Sequence, residues 1–147
     1  MTASAEPRRI YPDRPWVGVG VCVRRGGRVL LVRRGRPPRM GEWGIPGGAQ
    51  RLGETLAEAA AREVLEETGL RIENPRILTA VDAITRDTSL RVEYHYTLVE
   101  IVAESPEGEA RAGDDALEVC WAAPDEIDAL VAWDETRRII RLALAVD

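Results

Sequence analysis

The sequence predicts an α/β fold in which one mixed β-sheet is held between α-helices. Three observations carry this expectation. Apolar, β-branched runs recur along the chain at strand length, bounded by Gly, Pro and Asp clusters. Residues 55–68 carry both the start and the stop signal of a helix. The order strand, helix, strand, helix then requires layers of both kinds, because each element has an apolar face to bury.

Residues 1–15 hold Pro7, Pro12 and Pro15 and few apolar side chains, so they read as an N-terminal arm, with residues 16–147 as the domain proper. The first strand begins at Trp16 with WVGVGVCVRR. Gly26-Gly27 supplies a turn, and RVLLVRR returns as the second strand. Residues 35–54 are rich in Gly and Pro and read mostly as loop, with a short strand from Trp43 to Pro46. Thr55 and Glu58 have capping-box spacing, and Gly69 stands where a left-handed cap residue closes a helix. Two long β-rich stretches, 76–86 and 91–103, are separated by a polar turn near Asp87 to Ser89. The segment ESPEGEARAGDD reads as a mobile loop, and residues 116–122 as a further strand. Pro124 starts a short helix to Leu130, and Trp133 to Val146 form a terminal helix.

Composition narrows the function. The 147 residues are 45% apolar and 31% charged, enough for one globular core without disulfide or metal staples. No apolar run approaches the roughly 18 residues of a membrane span. The arginines of the arm are followed by no apolar stretch, so a signal peptide is not expected and the cytoplasm is the simplest location. Cys22 and Cys120 each sit within a strand-like run and read as buried free thiols; there is no CxxC or Cys/His cluster for zinc. All twenty basic residues are arginine, which removes any mechanism that needs a lysine. The net charge of −5 argues against a nucleic-acid backbone binder.

The segment GAQRLGETLAEAAAREVLEETGL, Gly48 to Leu70, carries the chemistry. At 100° per residue, Glu63, Glu66 and Glu67 fall together on one side of a helix begun at Thr55. Ala57, Ala61, Val64, Leu65 and Thr68 fall opposite and are expected to pack on the sheet. A solvated acidic face is the ordinary alternative. Local energetics oppose it. Glu63 repels Glu66 and Glu67 at roughly 0.2–0.5 kcal/mol per pair. Glu66 and Glu67 also face the negative end of the helix dipole, at roughly 0.3–1 kcal/mol each. A divalent cation would reverse both penalties, and Mg²⁺ is the usual choice where carboxylates meet phosphates. On these grounds alone, a metal site and a solvated face stand about even.

The same segment resembles the Nudix box, Gly-x5-Glu-x7-Arg-Glu-U-x-Glu-Glu-x-Gly-U, where U is a bulky aliphatic residue. Gly48, Glu54, Arg62, Glu63, Val64, Glu66, Glu67, Gly69 and Leu70 fill its fixed positions without departure. At this composition a chance match has a probability on the order of 10⁻⁸ per starting position. The resemblance implies a Nudix fold and a pyrophosphohydrolase dependent on Mg²⁺ or Mn²⁺. It implies metal ligation by Glu63, Glu66 and Glu67 and by the backbone carbonyl of Gly47, the glycine before the box. It further implies that Arg62 orients the glutamates through Glu54 or a neighbour, while Glu54 is structural or assists with metals. A surface arginine pairing along the helix is the plainer reading of Arg62.

Outside the box the residues say less. A general base could come from the loop before the last strand, where Asp114 and Asp115 stand nearest the strand start, although such a loop is usually solvated. Arg33 and Arg34 end the second strand, where one could reach a phosphate. Trp43, Tyr94 and Tyr96 could stack a base or simply pack the core. His95, the only histidine, shares a strand face with Glu93 and Thr97 and reads as structural or surface.

The strand sequences RPWVGVGVCV, VLLVRRGRPP, GEWGIPGG and VEYHYTLVEI resemble the ADP-ribose pyrophosphatase-like Nudix group. That resemblance implies hydrolysis of ADP-ribose to AMP and ribose 5-phosphate, with a small-molecule nucleotide as the partner and neither nucleic acid nor membrane. An oxidised nucleoside triphosphate is the alternative substrate, and a non-hydrolysing nucleotide sensor the alternative function. Residues 35–46 and 104–115 are expected to line the two sides of the substrate cleft, with the arm contributing in a homodimer.

Overall fold

In the computed structural model, which describes residues 8–147, the elements follow the predicted order with one addition. They are β1 (Trp16–Arg25), β2 (Arg28–Arg34), β3 (Trp43–Gly44), β4 (Gly47–Ala49), α1 (Leu56–Thr68), β5 (Glu73–Arg86), β6 (Val92–Glu104) and β7 (Ala116–Ala122). A 3-10 turn (Pro124–Glu126), α2 (Ile127–Leu130) and α3 (Asp134–Ala145) complete the chain. The addition is β4, whose Gly-Gly-Ala sequence carries no strand propensity and is held by pairing with β1. Residues 1–7 of the expected arm lie outside the described residues. Within the rest of the arm, the Tyr11 amide donates to the Glu93 carbonyl at 2.8 Å and its hydroxyl to Asp87, also at 2.8 Å. The Trp16 indole donates back to the Arg8 carbonyl at 3.0 Å.

The sheet is mixed. Its order is β3-β2-β1-β6-β5, with β7 on β2 and β4 on β1, and only the β1–β6 pair is parallel. The β1–β2 hairpin pairs near its turn, Arg24 with Val29 and Arg25 with Arg28, and then opens. Beyond that point β4 occupies the edge of β1 at Gly18–Gly20, while β3 occupies the edge of β2 at Val32 and Arg33. The split places residues 43–49 across a gap in the sheet, and the site forms there.

Strand alternation feeds two cores. Val19, Val21, Val23, Leu30 and Ile101 point to one face, where Ala59, Ala60 and Val64 of α1 cover them. Cys22, Val29, Leu31 and Val102 point to the other, where Ile127, Ile139, Ile140 and Ala143 of α2 and α3 cover them. The sheet is therefore sandwiched between helices, as the sequence predicts. Both cysteines are free; Cys22 is buried and Cys120 half-buried.

The structure corrects two readings. On α1 the buried positions are Ala59, Ala60, Val64 and Thr68; Ala57, Ala61 and Leu65 are exposed. The face is rotated so that the burying arc adjoins Glu63 and Glu67 and does not oppose them. The reason is that α1 packs beside the gap in the sheet, and its carboxylates must face that gap. The second correction concerns residues 104–115, expected as a mobile loop. Arg25 donates to the carbonyls of Ser105, Glu107 and Gly108 at 2.6–2.8 Å. The amides of Arg111 and Gly113 donate to the Thr68 and Glu67 carbonyls, both at 2.9 Å. The loop thus supplies donors to carbonyls left open at the end of α1. No helix among the described residues is long and apolar enough to cross a membrane.

Candidate functional site

The site is a cavity of about 510 Å³ that takes residues from both faces of the sheet at the gap. Its walls are β1, β2, β3 and β4, the turn after β2, α1, α3, the end of β5, the first two thirds of β6, the start of β7, and Arg9 and Ile10 of the arm. That volume lies in the range of small-molecule pockets.

Helix α1 is fixed at both ends. Thr55 and Glu58 form the reciprocal capping box, and Gly69 closes the helix in the left-handed region at φ 75°. The register so fixed aims Glu63 and Glu67, one turn apart, into the cavity. Glu66 does not line it. Glu66 lies about 60° round the helix from Glu63, just outside the arc bounded by Ala59, and sits between Arg62 at 3.4 Å and Arg51 at 3.7 Å. The three glutamates share one side of the helix, but only two reach the cavity.

Glu67 accepts the Gly47 amide at 3.2 Å. Burial pushes its carboxyl up to about 8; the Gly47 N–H and Arg34 lower it, and Glu63 and Asp115 raise it. Glu63 lies against Gly48 so closely that a Cβ there would stand 2.5–2.7 Å from its carboxylate atoms. Only glycine at position 48 lets backbone and carboxylate approach this far.

Arg62 gathers the acidic groups. Its Nε donates to Glu54 at 2.6 Å, one terminal nitrogen to Glu54 at 2.8 Å and to the Ala49 carbonyl at 3.0 Å, and the other to Glu63 at 2.7 Å. This bidentate fork is among the stronger side-chain arrangements. The Arg62 hydrogen bond, with help from the Arg51 amide, holds Glu54 down to about 2. Glu54 and Arg62 lie outside the cavity wall and act on it through Glu63.

The remaining expected residues divide. Arg33 and Arg34 line the cavity, yet each Nε is committed to the turn after β2: Arg33 to the Gly41 carbonyl at 2.9 Å, Arg34 to Pro38 at 2.8 Å. Trp43, Tyr94 and Tyr96 all line the wall, and Tyr94 is buried. Asp115 lines it too, paired with Arg36 at 2.8 Å. Asp114 is exposed, with φ 46°, and does not line the cavity. Residues 35–39 and 42–45 supply one side as expected, but Asp115 is the only residue of 104–115 on the wall, because the rest is folded onto α1 and Arg25.

Sequence reasoning missed Glu100. It sits mid-strand in β6, opposite Gly20, is 5% exposed, and lines the cavity. Burial pushes it up to about 7, with Arg138 lowering and Glu135 raising it from α3. The available signal was a lone carboxylate in the apolar run LVEIV. Folding raises this acid above its ordinary 4.5. The folded state is therefore unpenalised below that value and loses stability as pH rises, levelling off above about 7. At 1.36 kcal/mol per unit the loss is about 3 kcal/mol. Urea unfolding at about pH 5 and about pH 8 is expected to show this component in the wild type and not in Glu100→Gln.

Among the described residues no three His, Cys, Asp or Glu side chains are gathered so as to enclose an ion. The donor set nonetheless suits a hard divalent cation: carboxylate oxygens beside half-buried glycine backbone, with Glu67 itself half-buried and desolvated more than Arg34 offsets.

Residues 14–143 match the family profile described as the NUDIX domain. An ADP-ribose pyrophosphatase of Methanocaldococcus jannaschii is 34% identical over 104 residues, 71% of this chain and 59% of that protein. The chain thus spans well under two thirds of that relative. A putative 8-oxo-dGTP diphosphatase 2 of Mycobacterium tuberculosis is 35% identical over 113 residues, 74% of each. A MutT NUDIX hydrolase from Burkholderia pseudomallei superposes with a TM-score of 0.76 at 30% identity, covering 88% of this chain and 98% of that one.

Proposed function

The chain belongs to the Nudix hydrolase family, and from that premise we propose that it hydrolyses the diphosphate of ADP-ribose to AMP and ribose 5-phosphate. Nudix hydrolases are pyrophosphohydrolases acting on nucleotide derivatives, and they generally use divalent metals such as Mg²⁺ or Mn²⁺. The observation that carries the finer reading is the 34% identity to the M. jannaschii ADP-ribose pyrophosphatase. The cavity supports it: Glu63 and Glu67 share their wall with Trp43, Tyr94 and Tyr96, so a nucleoside packed on those rings would bring its diphosphate within the same cavity as the carboxylates.

In this proposal Glu63, Glu67 and the Gly47 carbonyl would hold the metal, and Glu66 would have to turn in from between Arg51 and Arg62 to join them. A divalent cation there supplies charge neutralisation of the diphosphate and a lowered pKa for the attacking water. The protein's own part is positioning. Arg62, anchored by Glu54 and the Ala49 carbonyl, sets the rotamer of Glu63. Glu67 is held by the Gly47 amide. Asp115, on the wall and within electrostatic reach of Glu67, is the better placed of the two loop aspartates to take a proton from water. Arg34, whose Nε is held by the Pro38 carbonyl and which also acts on Glu67, would meet a substrate phosphate through its terminal nitrogens.

A second reading is supported by the M. tuberculosis relative, named a putative 8-oxo-dGTP diphosphatase: hydrolysis of oxidised nucleoside triphosphates. A substrate panel with Mg²⁺ and Mn²⁺ separates the two. ADP-ribose is expected to yield AMP plus ribose 5-phosphate, with no free phosphate until a phosphatase is added. A tenfold or larger kcat/KM advantage for 8-oxo-dGTP, about 1.4 kcal/mol of transition-state preference, overturns the ADP-ribose assignment.

A further inference from the structure

Glu100 has no part in the chemistry described so far, and its situation is costly. It is 95% removed from solvent, and its Oε2 has no hydrogen-bond partner among the described residues. Glu63, Glu66 and Glu54 all have arginine partners; the cation nearest Glu100 in effect, Arg138, is hydrogen-bonded to Glu135.

The surrounding residues make room for this carboxyl. Gly20 is its partner across β1–β6, and a Cβ on Gly20 would collide with Oε2. The carboxyl therefore occupies the volume that a side chain at position 20 would fill. Alternation along β6 puts Glu100 on the same face as Leu98 and Val102, toward α3. Glu63 and Glu67 come from α1, which covers the opposite face. Glu100 thus enters the cavity from the sheet face opposite α1, with Ile45, Leu98 and Ile139 on the same wall. Glu135 and Thr136 of α3 line the same cavity, but the open oxygen of Glu100 is the buried one, and a buried acceptor among apolar side chains is how binding sites fix the orientation of a ligand.

We propose that Glu100 is a specificity-determining residue, whose carboxylate accepts two adjacent hydrogen-bond donors from the part of the substrate that does not react. Two sources carry that chemistry: the vicinal hydroxyls of a ribose, and the neighbouring N–H groups on a guanine-type base edge. The Watson–Crick edge of adenine offers one donor beside one acceptor, so it does not. Without its ligand the carboxylate weakens the fold; with the ligand its oxygens are satisfied. This trade between stability and recognition is a recurring feature of functional sites. The inference rests on the chain being a nucleotide hydrolase and makes the α3 side of that site selective.

The test is Glu100→Gln, which keeps the size and replaces one acceptor by a donor. Two measurements are made beside wild type: kcat and KM for ADP-ribose and for 8-oxo-dGTP with Mg²⁺, and calorimetric affinity for the same two ligands in chelator, where no turnover occurs. The expected result is about tenfold weaker binding and a tenfold lower kcat/KM for at least one of them, carried mainly by KM. The variant should melt at or above the wild-type temperature at about pH 8. A loss confined to ADP-ribose assigns the donors to ribose hydroxyls. A loss confined to 8-oxo-dGTP, which lacks the 2′-hydroxyl, assigns them to the base. Unchanged affinity for both, or a melting temperature well below wild type, overturns the proposal. Wild type that binds and turns over neither ligand instead removes the functional reading on which it stands.

Discussion

Glu67→Gln is expected to lower metal-dependent turnover by about 10²–10³-fold, roughly 3–4 kcal/mol of transition-state stabilisation, while the fold survives. The substitution is nearly isosteric, and the amide oxygen can still accept the Gly47 N–H that Glu67 accepts at 3.2 Å. What it removes is a carboxyl that a cation can draw into its ionised form beside Glu63, in a place where burial otherwise disfavours charge. A carboxylate retained there against desolvation has a use that an amide cannot fill, and attraction of a divalent cation is that use in the proposal above. Steady-state kinetics across a range of Mg²⁺ concentrations, with circular dichroism and a melting curve as the control on folding, make the measurement. Wild-type turnover in the variant, or full activity of the wild type in excess chelator, removes the metal site from the account. Glu66→Gln is expected to cost less, because Glu66 stands outside the cavity between Arg51 and Arg62.

Local rules made most of the fold legible. The capping box and Gly69 fixed α1 to within a residue at its start, because both signals are short-range hydrogen-bonding chemistry. Strand alternation located β1, β2 and β7 for the same reason. What could not be read locally was set by tertiary contact. Gly47–Ala49 is a strand only because β1 has an open edge beside it. Residues 104–115 have the composition of a solvated loop, yet the open carbonyls of α1 and the Arg25 guanidinium tie them down. The rotation of α1 escaped the helical wheel because a wheel cannot tell a sheet from a gap in one. A motif was enough to single out Glu63 and Glu67, since their spacing is one helical turn. Glu100 escaped because a strand face is chosen by the partner strand. Its meaning appears only once Gly20 stands opposite and the cavity opens in front of it.

Arg62→Ala is expected to lower kcat/KM by about 10–100-fold, the scale typical when a residue that orients a metal ligand is removed. It is also expected to destabilise the fold, because Arg62 is only 16% exposed and leaves Glu54, Glu63 and the Ala49 carbonyl short of donors together. Glu54 is held down to about 2 chiefly by this hydrogen bond, so the loss of Arg62 returns it toward its ordinary range. Arg62→Lys is the sharper test. An ammonium preserves the charge but offers no planar fork, so it cannot bridge Glu54 through two nitrogens and reach Glu63 with a third. The lysine variant should therefore recover stability more than it recovers kcat. If Arg62 serves as a generic positive charge, the two recover together and the lysine variant matches wild type in both. Measuring the urea midpoint and kcat/KM on the three proteins separates these outcomes. A lysine variant with wild-type kinetics would reduce Arg62 to a charge that any cation could supply, and would remove the proposed positioning of Glu63 with it.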